Sequence, residues 1–231
     1  MSGDLSVGVA MPARNAMRYI GEAIGSILSQ ESAVADVVVV DDGSDDATAH
    51  VAGAFGAPVR VIRQAPSGPA AARNRAVRAL STDLVAFLDA DDVWPADSVA
   101  VRLAALGADA SADMCFGRMS QFISPELPEA EQRRLHLDPR PQEAWTSSGM
   151  LARRDVFERY GYLSEERRTG DFLEWLIRAR AAGARALTVD DVVLRRRLHL
   201  DNLTRREPAE NANYLAVVRA ELARRRSESN Q

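Results

Sequence analysis

Lysine is absent from the 231-residue sequence, so all 29 of its Lys and Arg cations are arginines. Against 33 acidic residues they leave a net charge of −4 (29 − 33), which excludes a general polyanion binder and predicts no nucleic-acid partner. The lone cysteine, Cys115, has no internal disulfide partner; nothing calls for an oxidising compartment, and a reduced, cytoplasmic location is expected. Long apolar runs are missing as well. The short apolar stretch over residues 5–11 suits neither a signal peptide nor a membrane span, and no later stretch approaches the roughly 20 apolar residues that a spanning helix needs. What is present, 46% hydrophobic and 27% charged residues, matches a globular chain that buries a substantial core in one large domain.

Residues 5–11 form a β-rich run ended by Pro12, and residues 15–30 carry Tyr19, Ile20, Ala23, Ile24, Ile27 and Leu28 at helical spacing. Four consecutive valines over 37–40 read as a strand buried on both faces, followed by a helix over 45–55. A third strand over 59–62, a break at Ser67-Gly68-Pro69, a helix over 70–80 and a fourth strand over 84–88 continue the rhythm. This alternation predicts an α/β fold: a doubly wound, Rossmann-like, mostly parallel sheet with flanking helices. Beyond residue 110 the spacing predicts a strand over 114–119, an exposed flap over 124–142 and helices over 153–160 and 171–182. A strand over 186–194, a mixed segment over 195–206 and an Arg-rich amphipathic helix over 210–226 complete the expectation.

In open α/β sheets ligands collect beyond the carboxyl ends of the strands. Here those ends carry Pro12, Ala13, Arg14 and Asn15; Asp41-Asp42-Gly43-Ser44; Pro66-Ser67-Gly68; and Asp89-Ala90-Asp91-Asp92. Three carboxylates at one strand end repel one another and suit a hard divalent cation shared with phosphate oxygens. A helix-start cluster ahead of Pro95 is the other reading. Asp41-Asp42 taken alone fits a turn and cap. Asp190-Asp191, inside a strand-like stretch, receives no role. Small residues from Gly68 to Ala72, followed by Arg73 and Asn74, allow a diphosphate to approach a helix start, although a plain Ala-rich helix packed on a sheet explains them equally.

Together these pieces resemble the family 2 glycosyltransferases of the GT-A fold. The resemblance rests on Val9-Ala10-Met11-Pro12-Ala13-Arg14-Asn15, Asp41-Asp42-Gly43-Ser44, Ala72-Arg73-Asn74 and Phe87-Leu88-Asp89-Ala90-Asp91-Asp92, in that order. It is strong over residues 5–105 and weaker to about 205. It implies a single domain whose residues 1–110 bind a nucleotide-sugar and whose residues 111–206 bind the acceptor and carry the catalytic base, with a C-terminal helix and tail over 207–231. The implied reaction is an inverting transfer of one sugar from a nucleoside-diphosphate sugar, UDP by family frequency, to an acceptor hydroxyl or other nucleophile. The length, without a membrane span, argues against a processive polysaccharide synthase.

By the same resemblance Pro12, Ala13, Arg14, Asn15, Asp41, Asp42, Gly68, Arg73, Asp89, Ala90 and Asp91 bind the donor, with Asp42 reaching the base. Asp91 ligates Mn2+ or Mg2+, Asp89 lies near the ribose or a metal-bound water, and His199, in Arg195-Arg196-Arg197-Leu198-His199-Leu200-Asp201-Asn202, is a third metal ligand. An inverting displacement needs a general base on the acceptor. Thr169-Gly170-Asp171-Phe172-Leu173-Glu174-Trp175 matches the family's Glu-Asp helix start with Gly170 in place of the Glu, so Asp171 is the expected base and Glu174 its fallback. Trp145, Ser148, Gly149, Glu174 and Trp175 are expected in the acceptor or sugar pocket. An N-cap is the alternative role for Asp171, and a core position the alternative for Trp145. The acceptor class, whether saccharide, lipid, protein or peptide, is not readable. The Arg-rich helix suits an anionic membrane surface or a partner, or simply a solvated face. A nucleotidyltransferase and a catalytically idle nucleotide-sugar or partner-binding module are the rival readings.

Overall fold

The computed structural model describes residues 5–166, 170–200 and 202; the helix expected over 210–226 lies outside them. Four parallel strands form the first half: β1 (Val7–Ala13), β2 (Asp36–Asp42), β3 (Val59–Gln64) and β4 (Leu84–Phe87). Helices α1 (Ile20–Leu28), α2 (Thr48–Gly53), α3 (Pro69–Ala79) and α4 (Ser98–Ala108) follow them in turn. The second half contributes β5 (Met114–Ile123), α5 (Glu129–Gln132), β6 (Gln142–Glu143), β7 (Leu151–Arg153), α6 (Val156–Tyr160), α7 (Asp171–Ala181) and β8 (Ala186–Leu198). All eight strands share one sheet in the order β3-β2-β1-β4-β7-β5-β6, with β8 paired in parallel to β5.

The central strands are apolar throughout because helices cover both faces. Successive side chains alternate, so Val9, Met11, Val37, Val39, Leu84 and Ala86 pack with Ile20, Ile24, Ile27, Val99 and Leu106 from α1 and α4. Ala10, Val38, Val40, Val85 and Phe87 face the alanines of α3, together with Phe157, Phe172 and Trp175 from α6 and α7.

Several expected boundaries move, each for a local reason. Pro12 does not end β1, which runs on to Ala13 with Pro12 opposite Val40. Pairing with β4 stops at Ala10, so from there β1 is paired on one side only, a setting that tolerates proline. The first helix begins at Ile20 rather than residue 15, because Asn15 sits at φ 49° and is tied to the next loop. The helix expected over 153–160 shortens to Val156–Tyr160, since Leu151–Arg153 is an antiparallel strand wedged between β4 and β5. Strand β8 continues through three arginines to Leu198, opposite Ile123, where a mixed segment was expected. The flap over 124–142 holds the short α5, and its Leu127 and Leu135 pack against Leu198.

A tight 3-10 turn, Ser147–Gly149, leads into β7, and a Cβ added at Gly149 would collide with the carbonyl oxygen and methyl group of Ala144. Gly149→Ala is therefore expected to destabilise the fold by about 1–3 kcal/mol through overpacking, read as a lower urea midpoint at unchanged m-value. A midpoint equal to that of the parent chain would contradict this packing.

Candidate active site

The ends of β1 and β2 are bolted together. The Asn15 N–H donates to Ser44 Oγ (2.9 Å), the Asn15 side-chain oxygen accepts from the Asp45 N–H (2.9 Å), and the Ala16 N–H donates to Thr48 Oγ1 (2.8 Å). This holds Pro12, Ala13, Arg14 and Asn15 along the mouth of a cleft of about 740 Å³, also lined by Tyr19, Asp42, Gly68, Arg73, Asp89, Ala90, Asp91 and His199.

Asp42 is fixed from three sides. Its Oδ1 accepts from Gln64 Nε2 (2.8 Å) and the Ser67 N–H (2.7 Å), and its Oδ2 accepts from the Gly68 N–H (2.9 Å). Gly68 can present that N–H because its φ of 95° costs glycine nothing. Asp41, expected in the same site, lines neither cavity; successive residues of a strand point to opposite faces. Asp41 is buried and accepts from Arg63 Nε (2.9 Å) and the Ser44 N–H (3.2 Å).

Beyond β4 the acidic residues separate by partner. Asp89 accepts from Arg73 Nη2 (2.7 Å), and Arg73 Nη1 reaches Asp171 Oδ2 (3.2 Å), so one buried guanidinium joins the two carboxylates. Asp91 Oδ2 lies 2.9 Å from His199 Nε2 and 3.3 Å from Asn202 Nδ2. Asp92 is buried behind them and accepts from the Arg197 N–H (2.9 Å). Burial, with the charges of Asp91 and Asp89 adding to it, pushes the Asp92 carboxyl well above the usual carboxylate range.

Asp91 and His199 place a carboxylate and an imidazole 2.9 Å apart, a donor pair whose chemistry fits Mn2+ or Mg2+ with the remaining positions taken by diphosphate oxygens. Asp89 is committed to Arg73 instead, and among the described residues no three His, Cys, Asp or Glu side chains form a closed metal cluster.

A second cavity of about 230 Å³ shares Pro69, Arg73, Asp89 and Asp91 with the cleft and extends to Trp145, Ser148, Gly170, Asp171, Phe172 and Leu173. Ser148 Oγ accepts from the Asp89 N–H (3.1 Å), which attaches this wall to the acidic segment. Gly170, at φ 77°, is the N-cap of α7, and Asp171 is its first helical residue with its carboxylate turned to Arg73. Burial raises the Asp171 pKa, and the Arg73 charge opposes the rise.

Three expected pocket residues do not line it. Trp175 is core, stacked on Phe157 at 5.1 Å with its Nε1 donating to the Gly161 carbonyl (2.6 Å). Glu174 faces Arg178 Nε (3.0 Å), and Gly149 sits behind the turn with its carbonyl on Arg102 (3.2 Å). Conversely, Tyr19 joins the site without having been given a role there, and Asn202, quoted only as the end of the stretch that carries His199, joins it too. Tyr19 reads as one more apolar position of the first helix, and Asn202 as part of a polar loop.

The Glycosyl transferase family 2 model matches residues 8–161, and the chain belongs to that family. ExoU, a succinoglycan biosynthesis protein of Rhizobium meliloti, is 41% identical over 92 residues, which make up 38% of this chain and 27% of ExoU. The mannosyltransferase PcManGT from Pyrobaculum calidifontis, solved in complex with GDP-Man and Mn2+, matches with a TM-score of 0.68 at 22% identity, over 96% of this chain and 65% of that one. S. aureus TarS 1-349 in complex with UDP-GlcNAc gives 0.68 at 21% identity over 84% and 59%. The fold is thus GT-A, as the sequence resemblance implied, and the chain spans less than two thirds of each of these proteins.

Arg73 is the cation that opposes the upward shift of Asp171. Arg73→Met is therefore expected to move the Asp171 titration midpoint further upward in carboxyl-carbon NMR, and a downward movement would contradict the assigned contact.

Proposed function

We propose that the chain moves one sugar from a nucleoside-diphosphate sugar to an acceptor nucleophile with inversion at the anomeric carbon, Asp171 acting as general base. The observation that carries this reading is the placement of Asp171 in the cavity adjoining the cleft, joined through Arg73 to the acidic segment that begins at Asp89. The acceptor O–H proton passes to the Asp171 carboxylate, the acceptor oxygen bonds to C1, and the C1–O bond to the diphosphate breaks with its electron pair leaving on the diphosphate. A base whose pKa is raised by burial is a stronger proton acceptor than an ordinary carboxylate while remaining ionised above that value.

The loop of Pro12, Ala13, Arg14 and Asn15, with Asp42, Gly68 and Ala90, holds the nucleoside; Asp89 sits beside the ribose, and Arg73 fixes its carboxylate. Asp91 and His199 would hold the divalent cation, which supplies neutralisation of the diphosphate charge. Trp145 and Ser148 line the acceptor side. Support comes from the complexes of two GT-A proteins, PcManGT with GDP-Man and Mn2+ and TarS with UDP-GlcNAc. The Asp42 carboxylate accepts hydrogen bonds and donates none, so a base meets it with an N–H donor, the imino N–H of uracil, thymine or guanine or the amino N–H of cytosine.

The test is calorimetry with UDP, GDP, dTDP and CDP, each with and without Mn2+. One of the four diphosphates is expected to bind in a metal-dependent way, and Asp91→Ala is expected to abolish the metal dependence. Once the donor is known, Asp171→Asn is expected to lower kcat by about 10²–10⁴-fold, the range for losing a general base, with nucleotide affinity kept. Binding of no diphosphate under any condition would overturn the catalytic reading and leave the idle module.

A further inference from the structure

Arg102, on α4, is wholly buried, and no carboxylate pairs with it among the described residues. Burial lowers its pKa to about 10, so at neutral pH it remains a cation deep in the protein. A charge in such a place is costly unless its hydrogen bonds accomplish something a hydrophobic side chain cannot.

Those bonds join two elements, the start of α4 and the Ser147–Gly149 turn. Nη1 donates to the Gly149 carbonyl (3.2 Å), while Nε and Nη2 donate to the Ser98 carbonyl (2.9 Å) and Ser98 Oγ (2.8 Å). Ser98 Oγ in turn donates to the Val193 carbonyl of β8 (2.6 Å), which anchors this end of the assembly to the sheet. The guanidinium also lies over the Trp94 ring at 5.1 Å, and Trp94 Nε1 donates to the Ser148 carbonyl (3.4 Å). The turn is therefore gripped from behind at two successive carbonyls, directly at Gly149 and through Trp94 at Ser148. On its other side Ser148 Oγ receives the Asp89 N–H at 3.1 Å, two residues before Asp91.

We infer that Arg102 is a positioning residue: a buried strut that seats the Ser147–Gly149 turn so that Ser148 holds the backbone of the acidic segment in its ligand-binding place. The inference rests on the proposed donor site for its functional consequence, but its structural claim does not. Arg102 touches neither cavity and acts only through Gly149, Trp94 and Ser148.

Two measurements test it. Amide hydrogen exchange needs no ligand: in Arg102→Met the Asp89 and Met150 amides are expected to exchange faster, while amides of β1 and β2 keep their protection. The second is Mn2+-dependent binding of the diphosphate that the parent chain binds. Arg102→Met is expected to weaken it by about tenfold, the worth of one hydrogen bond to a charged group, with metal-free binding unchanged. Ser148→Ala is expected to do the same, and the double variant to be no weaker than the worse single one, because both act through the same contact. Arg102→Lys, which keeps the charge without the fork, is expected to recover part of the loss. Should Arg102→Met fail to fold, Trp94→Phe, which keeps a ring and removes only the Nε1 donor, is paired with Ser148→Ala in the same cycle.

Uniformly faster exchange, additive losses, or equal weakening with and without Mn2+ would overturn the inference in favour of a purely structural arginine. Absence of diphosphate binding in the parent chain would instead count against the proposed donor site, and the exchange experiment would still decide the role of Arg102.

Discussion

Arg73 is the contact on which the candidate site depends. Asp89, Asp91, Asp92 and Asp171 converge on one cavity, and like charges gathered there push the surrounding segments apart. A single buried guanidinium spans the gap, 2.7 Å from Asp89 and 3.2 Å from Asp171, and turns a repulsion between the two halves of the chain into an attraction. Its planar fork is what permits two carboxylates at once; an ammonium in its place would act as a point charge.

The rest of the architecture brings that arginine within reach. Ala70, Ala72 and Ala76 allow α3 to lie close on the sheet against Ala10, Val38 and Phe87, and the helix starts at Pro69, immediately after a glycine that closes over Asp42. The residue after Arg73, Asn74, exchanges hydrogen bonds with the Leu163 backbone (2.9 and 3.0 Å), holding the chain eight residues (171 − 163) before α7 begins. Helix α3 thus fixes both the donor-side acids and the start of the helix that carries Asp171. Strand β8 closes the other side: Arg197 is buried, its N–H bonds Asp92 and its Nε donates to the Asp91 carbonyl (2.9 Å), and two residues later His199 faces the Asp91 carboxylate.

The first half of the fold was legible because its strands are buried on both faces, so continuous apolar runs end abruptly in polar residues at the edge where ligands collect. The second half was harder to read. Leu151–Arg153 is too short to show a period, and the end of β8 carries three arginines whose strand character comes from tertiary partners, the Asp91 and Asp92 contacts of Arg197 among them. Within the site, Asp42, Asp91, Asp171 and His199 could be picked out by their match to the family's motifs, since residue type and position alone fitted turns and helix caps as well. Asp41 and Trp175 could not be separated from them in the same way. The first shares its motif with Asp42 but points to the opposite face, and the second lies four residues after Asp171 on a helix whose inward face is core. The arginine link between Asp89 and Asp171 joins residues far apart in the chain, a relation no local pattern encodes.

The most direct test of this account is a crystal structure of the chain with Mn2+ and the nucleoside diphosphate it binds. The account predicts the base against Asp42, the cation between Asp91 and His199, and the diphosphate directed toward the cavity that holds Asp171, with Arg73 still spanning Asp89 and Asp171. A nucleotide seated elsewhere, or a cation coordinated without Asp91, would contradict it.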